Sequence, residues 1–360
     1  MKKYLCIFLI IPFLFSCAKK DETKLVFLDE YIVKDSLLVN NEIIGGLSGL
    51  DYADGYYYFV VDDAKNPRFI KAKIDIIKSK ISSVEFKETI FLNDSTDVFY
   101  KENALDLESI FVNEKTQEIN FVSEGSIKKG KLPSVFKTDK KGKFIESFQL
   151  PENLTNLEVI KHNAVFEGSS KSINGKGFWV AMEGVLNVDG FEPTFNKKLS
   201  PIRITYFDKQ TKRATKQFAY QLEHITKPAK GAINLNGVTA ILEYKENHFF
   251  VVERTYQSGY GAYGNIVRIF EASIDNEVTN VLKIDSLKKK KIIPLKKRLI
   301  LNLDDIKNKL TEGIVDNIEG ITLGSKLENG NQSLVLVSDD NFQIYGKQLN
   351  QFILLEIKDK

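Results

Sequence analysis

One hairpin is written five times along this chain, and that recurrence limits the fold more than any other feature. It reads GGLSGLDYADGYYYFVVDD from Gly45 to Asp63, LESIFVNEKTQEINFVSEG from Leu107 to Gly125, and NAVFEGSSKSINGKGFWVAMEG from Asn163 to Gly184. It returns as NGVTAILEYKENHFFVVERT from Asn236 to Thr255 and as NIEGITLGSKLENGNQSLVLVSDDN from Asn317 to Asn341. Each copy runs from a small or acidic residue through an apolar strand, a polar turn and a β-branched or aromatic strand to an acid. More amphipathic pairs fall between the copies: 69–74 with 84–92, 135–138 with 144–150, 202–207 with 216–222, and 266–272 with 278–284. Their period-2 alternation and intervening turn residues mark them as strands.

Inner plus outer hairpin makes a four-stranded unit, and units of about 60 to 80 residues repeated along an all-β chain predict a β-propeller. Two successive β-sandwiches would also supply short alternating strands, but they do not require the same acid-flanked hairpin five times. Five blades are visible, and the interval between Arg254 and Asn317 leaves room for a sixth. The last unit ends in Phe352 to Ile357, so the strand-like stretch from Lys24 to Val33 is expected to complete it and close the ring. A single short helix is expected around Asp304 to Leu310, with Asp304 and Asp305 as its caps.

In a propeller, corresponding positions of successive blades fall on one ring. The hairpins therefore predict three carboxylate pairs at one mouth: Glu108 with Glu124, Glu167 with Glu183, and Glu319 with Asp339. Asp62 and Glu253 stand at the second position of the other two copies, whose first position holds Ser48 and Asn236 or Gly237. Clustered carboxylates raise one another's pKa unless a cation neutralises them, and calcium takes six to eight hard oxygen ligands. The competing reading is that each acid accepts backbone N–H groups from the adjoining blade. His162, His224 and His248 are not paired at metal spacing, which argues against zinc.

The patterns GLSGLDY with YYYFVVDD, LDLESIFV with FVSEG, NAVFEG with FWVAMEG, FFVVERTY, and NIEGITL with LVLVSDDNF resemble the phytase-like family, named for an esterase-like activity of phytase. The resemblance runs from Gly45 to Ile357, and NGVTAI departs from it by lacking the acid. It implies a secreted or lipid-anchored propeller related in outline to calcium-dependent propeller phytases. Carried over, it implies metal or site ligands at Glu108, Glu124, Glu167, Glu183, Glu319 and Asp339, with Asp62 beside them, and Arg254 as the anion contact. Arg68, His162 and Asn163 are lesser substrate-binding candidates. The glycine and tyrosine loop Tyr256 to Gly264 is read as a flexible surface loop, with a mobile rim that stacks on a ring-shaped ligand as the alternative. The run Lys288 to Lys291 is read as a solvated connection between blades.

If phosphate ester hydrolysis is the reaction, it is expected to be calcium-dependent and directed at a small anionic substrate. Hydrolysis of another ester or lactone, or binding without turnover, are the alternatives. GLSGL lacks the nucleophile-elbow spacing and SINGKGF the phosphate-loop spacing, so neither motif supplies a different chemistry.

Residues 1–16 read as a lipoprotein signal peptide: MKK, an apolar core too short to span a bilayer, and Leu14-Phe15-Ser16-Cys17 like a lipobox. Cleavage would leave Cys17 lipidated, residues 17–24 as a charged tether and residues 25–360 as the domain. The protein is therefore expected in the bacterial cell envelope, anchored to the outer membrane or cell surface. The segment Ala18 to Glu22 is similar to the lysine-plus-acid signal that sends some Gram-negative lipoproteins outward. Removal of Cys6 and lipidation of Cys17 leave no disulfide, so a packed core must carry stability. The formal charge of +3 includes Lys2 and Lys3, and a near-neutral mature chain does not suit nucleic acid.

Overall fold

The computed structural model describes residues 22–358. The expected leader, cleavage site and lipid-bearing Cys17 lie outside the described residues. After the first strand, β1 (Lys24–Val33), comes a two-residue ladder of β2 (Leu38–Val39) and β3 (Glu42–Ile43). Blade I is then built from β4 (Leu47–Ala53), β5 (Tyr56–Val61), β6 (Arg68–Ile77) and β7 (Lys80–Phe91). Blade II follows a short helix, α1 (Val98–Glu102), whose first turn is capped by Asp97 accepting from the Phe99 N–H at 2.8 Å. Its strands are β8 (Leu107–Asn113), β9 (Glu118–Ser123), β10 (Ser134–Thr138) and β11 (Phe144–Ser147).

Blade III comprises β12 (Phe166–Lys171), β13 (Gly177–Met182), β14 (Pro201–Asp208) and β15 (Arg213–Gln221). Blade IV comprises β16 (Asn234–Lys245), β17 (His248–Gln257), β18 (Asn265–Ser273) and β19 (Lys296–Asn302). Blade V takes β20 (Ile318–Lys326), β21 (Gln332–Ser338) and β22 (Asn350–Lys358), and its outermost strand is β1. The innermost strands β4, β8, β12, β16 and β20 contact one another in sequence, and β20 returns to β4. The protein is an all-β, five-bladed propeller closed by its N-terminal strand.

Beyond α1, which forms where no helix is expected, three details differ from the sequence expectation. No sixth blade exists among the described residues. The fourth strand of blade IV is Lys296–Asn302 and not 278–284, because the segment between β18 and β19 leaves its own blade. It runs along the outer strand of blade III, where Val281 N–H donates to the Gln217 carbonyl at 2.7 Å and Leu295 N–H to the Ala219 carbonyl at 2.9 Å. A buried Arg203–Asp189 ion pair at 2.6 Å holds it: Arg203 also donates to the Ile284 carbonyl, and Asp189 accepts from the Leu287 N–H. This strap covers an edge strand that would otherwise present unpaired backbone groups, and it carries Lys288 to Lys291. The third difference lies at 304–310, which is not an α-helix but two 3₁₀ turns, Leu303–Asp305 and Lys307–Lys309, the first capped by Asn302.

The core lies between blades, where the apolar faces of adjoining sheets meet. Phe59 packs on Phe352 at 5.7 Å between ring centroids, Phe69 on Phe121 at 5.5 Å, Phe111 on Phe178 at 4.8 Å and Trp179 on Phe249 at 5.1 Å. Between blades IV and V one ring and a set of aliphatic side chains do this work, with Phe250 and Val252 against Ile318, Leu334 and Leu336. Truncating any one of these buried rings to Ala would cost about 3–5 kcal/mol. At the axis the strands approach closely: a side chain on Gly49 would lie 2.7 Å from the Glu108 carbonyl, and one on Gly168 2.6 Å from the Ile241 nitrogen.

Candidate functional site

The same irregularity opens every inner hairpin at the same end. Leu47 pairs with Val61, Leu107 with Ser123, Phe166 with Met182, Val238 with Glu253 and Ile318 with Ser338. The ladder then slips, so that Ser48, Glu108, Thr239 and Glu319 each stand in a β-bulge, as Glu167 and Gly168 do in β12. A bulge leaves one residue unpaired and re-aims its side chain. On the second strand, the residue just past the pair is Asp62, Glu124, Glu183, Arg254 or Asp339. The backbone confirms the equivalence: Asp62 N–H reaches the Gly46 carbonyl at 2.8 Å, Glu124 that of Asp106 at 3.0 Å, Glu183 that of Val165 at 2.7 Å, and Asp339 that of Asn317 at 2.9 Å.

This register corrects blade IV. Its two ring positions are Thr239 and Arg254, not Asn236 or Gly237 and Glu253. A one-residue offset in a strand moves a side chain to the other face, and Glu253 is buried on that other face. There its carboxylate accepts from Tyr220 Oη at 2.7 Å, Asn236 Nδ2 at 2.9 Å and Glu223 N–H at 3.0 Å, and it pairs with Lys297 at 2.5 Å. The ring positions without an acid carry hydroxyls that tie neighbouring blades: Ser48 Oγ donates to the Leu107 carbonyl at 3.0 Å and Thr239 Oγ1 to the Ile318 carbonyl at 2.8 Å.

The acids of blades I, II, III and V converge on one mouth. Asp62, Asp106 and Glu108 each bring a carboxylate oxygen within 4.8 Å of the others. Arg254 Nη1 donates to Glu319 Oε1 at 3.1 Å, and its Nη2 lies 3.7 Å from Glu183 Oε1. Asn317 Nδ2 donates to Glu319 Oε1 at 2.9 Å, while the buried Asn317 Oδ1 and Arg254 Nε have no partner among the described residues.

Every one of these carboxyls is pushed up, first by burial. The Asp62 carboxyl rises to about 8, with Asp339 and Asp106 repelling its charge, and that of Glu124 to about 8, with Glu183 and Asp106 doing so. Burial lifts Glu319 to about 7 and Glu183 to about 6, and Arg254 opposes both shifts. Glu108, Glu167 and Asp339 are held well above the ordinary range by burial and then by like charge, from Glu167 and Asp62 on Glu108, from Glu183 and Glu124 on Glu167, and from Glu319 on Asp339. Asp106 is also raised by burial, with its hydrogen bond to Asp62 and the charge of His162 working the other way. Repulsion across blades requires that these groups share one volume.

Backbone hydrogen bonding accounts for only part of the set. Glu124 Oε2 accepts from Val165 N–H at 3.5 Å and Asp339 Oδ1 from Asn341 N–H at 2.7 Å. Among the described residues, no hydrogen bond reaches the Glu108 or Glu167 carboxylates. Of the lesser candidates, His162 lies beside Asp106, and Asn163 is exposed on the same connection with φ of 51°. Arg68 is drawn away, its Nη1 bound to Asp63 Oδ2 at 2.8 Å and to the Asn66 carbonyl at 2.9 Å. Sequence comparison passed over Asp106 and Asn317, because the equivalent positions of other copies hold Gly46, Val165 and Gly237 and show no shared chemistry. The segment 256–264 is more ordered than expected: Tyr256 and Gln257 continue β17, and a 3₁₀ turn spans Gly261–Tyr263.

Fold and site together define a five-bladed propeller with a carboxylate-lined mouth and one guanidinium across it. The chain belongs to the Phytase-like family, described as esterase-like activity of phytase, whose model matches residues 42–342. No curated protein matches the sequence significantly. Among solved structures it is similar to hydrazine synthase of Kuenenia stuttgartiensis (8% identity, TM-score 0.39, covering 81% of this chain and 64% of that one). It is also similar to an exo-β-1,3-galactanase of Phanerochaete chrysosporium (10%, 0.46, 92% and 64%) and to a thermostable family-43 glycoside hydrolase (10%, 0.47, 88% and 90%). The chain thus spans 64% of the length of the first two. Likenesses this distant carry nothing about chemistry.

Proposed function

We propose that this propeller is a calcium-dependent phosphomonoesterase, held at the bacterial cell envelope through a lipid on Cys17. The observation that carries the reading is the mouth itself, where Asp62, Asp106, Glu108, Glu124, Glu167, Glu183, Glu319 and Asp339 face one another with Arg254 as the counter-charge. The donor set fits a hard cation: it is all oxygen, three carboxylates lie within 4.8 Å of one another, and a buried amide oxygen on Asn317 is open.

Asp62, Asp106 and Glu108 would hold such an ion, with Glu124 and Glu167 beside them. When bound, calcium supplies charge neutralisation for a phosphate and a more acidic bound water. Arg254 offers a planar donor to a phosphate oxygen, and Glu183 and Glu319 orient it across the mouth. Thr239 and Ser48 keep the adjoining inner strands in place beneath it.

The test is a panel of phosphate, acyl and lactone substrates assayed with calcium or with chelator, on wild type, Glu108→Gln and Glu319→Gln. Calcium-dependent release of phosphate that both variants lose is the expected result. Turnover of only acyl or lactone substrates, or no turnover with an unchanged melting curve in chelator, refutes the reading.

A further inference from the structure

Among the described residues, blade IV alone has an inner hairpin that climbs past the ring. In the other four, the inner strand starts at the residue whose pair precedes the bulge, or one residue from it: Leu47, Leu107, Phe166 and Ile318. Strand β16 starts at Asn234, four residues before Val238, and stays in register with β17 through Gly237↔Arg254, Asn236↔Thr255, Leu235↔Tyr256 and Asn234↔Gln257. Four residues of strand rise about 13 Å.

Alternation along the ladder puts Leu235 and Tyr256 on the same sheet face as Arg254, one pair further out, about 7 Å along the strand. Leu235 is 54% exposed, and Ile233 and Tyr263 at the tip are 47% and 57% exposed. The tip is fastened: Ser258 N–H donates to the Ile233 carbonyl at 3.0 Å, Ile233 N–H to Ser258 Oγ at 2.9 Å, and Gln257 N–H to the Gly264 carbonyl at 2.8 Å. An apolar wall therefore stands, already ordered, directly above the mouth's guanidinium.

We infer that this wall receives the apolar leaving group of the substrate, so that the preferred ester carries one phosphate on an aryl or alkyl alcohol. The inference rests on the phosphomonoesterase reading and narrows its substrate class. Its occupant follows from position. Arg254 already spans Glu183 and Glu319 and offers one phosphate a partner, and Leu235 and Tyr256 are the next side chains out on its face. Lys227 and Lys230 stand over Tyr260 at the same tip, so a polyphosphorylated ester is the competitor that turnover must separate. In the reaction, a water oxygen bonds to phosphorus, the phosphorus–oxygen bond to the alcohol breaks, and the water's proton ends on that alcohol. Inorganic phosphate and an apolar alcohol leave.

The decisive experiment titrates benzylphosphonate and methylphosphonate into the calcium-loaded protein by calorimetry, for wild type, Leu235→Asn and Tyr256→Ala. Burial of one aromatic ring predicts benzylphosphonate binding roughly tenfold tighter or more. Both variants should lose most of that preference while methylphosphonate affinity and the calcium-induced rise in melting temperature stay the same. Equal affinity for the two phosphonates, a preference that survives both substitutions, or binding of neither overturns the inference. Turnover separates it from its parent reading. Faster hydrolysis of inositol hexakisphosphate than of phenyl phosphate defeats the wall and leaves the phosphoesterase standing. Wall-dependent phosphonate binding with no ester hydrolysed supports the wall and defeats the phosphoesterase.

Discussion

Glu253 and Glu108 are both buried carboxylates at the open end of an inner hairpin, and their surroundings are opposite. Glu253 in blade IV is saturated, with a tyrosine hydroxyl, an asparagine amide, a backbone N–H and Lys297 all directed at it. Glu108 in blade II has no hydrogen bond among the described residues and is faced by Glu167, Asp62, Glu124 and Asp106. Burial alone therefore does not mark function. A carboxylate with a full set of donors is a structural pin, whereas one faced by other acids either keeps its proton or takes a partner from outside the chain.

The largest effect should come from breaking the pin. Glu253→Ala leaves Lys297 and the Tyr220 hydroxyl without their buried acceptor and should cost about 3–5 kcal/mol of stability, read by urea denaturation. Its calcium response should persist in whatever fraction folds. A loss of under about 1 kcal/mol would erase the distinction drawn here. Glu108→Gln should do the reverse. In chelator its melting temperature should equal or exceed wild type, since a repelled charge is gone, while the stabilisation of about 2.7 kcal/mol expected with calcium at a hundredfold excess over Kd should disappear.

Acidity offers a third handle. The mouth carboxyls hold their protons more tightly folded than unfolded, to about 8 for Asp62 and Glu124 and about 7 for Glu319. The native state therefore binds more protons than the unfolded one across this window. The contribution is fully present below the ordinary carboxylate range and is lost as pH rises through about 8. In chelator, melting temperatures should fall from pH 5 to pH 9, and calcium should flatten that slope. An equal slope with and without calcium would mean that the ion binds elsewhere. The smallest change is expected from Ser48→Ala, which removes one interblade hydrogen bond worth about 1 kcal/mol and should leave calcium binding untouched.

Much of the ring was readable in advance because a propeller repeats its physics. Alternation identified the inner hairpins, and the stretch from Lys24 to Val33 announced the closing strand. The errors cluster where local pattern and register part company. Glu253 looked like a ring acid because it ends an apolar run as Glu124 and Glu183 do. In the ladder Glu253 takes the paired place that Val61 and Ser123 hold in blades I and II, opposite Val238, so the ring place falls to Arg254. The segment 278–284 alternates like a strand and does lie along a sheet, but it belongs to a strap on blade III fastened by Arg203 and Asp189, residues far away in sequence. Asp106 was invisible to comparison among repeats, since a site residue unique to one blade has no siblings to betray it.

Closure of the ring also sets an orientation. Strand β1 pairs antiparallel with β22 so that Lys24 lies opposite Lys358 and Val33 opposite Asn350. Asn350 Nδ2 donates to Asp340, the neighbour of Asp339 at the mouth, so the chain enters the propeller at the far end of the axis. Any tether leading into Lys24 thus attaches behind the disc. A protein hung from a membrane by that tether would turn its carboxylate mouth outward, towards whatever diffuses past.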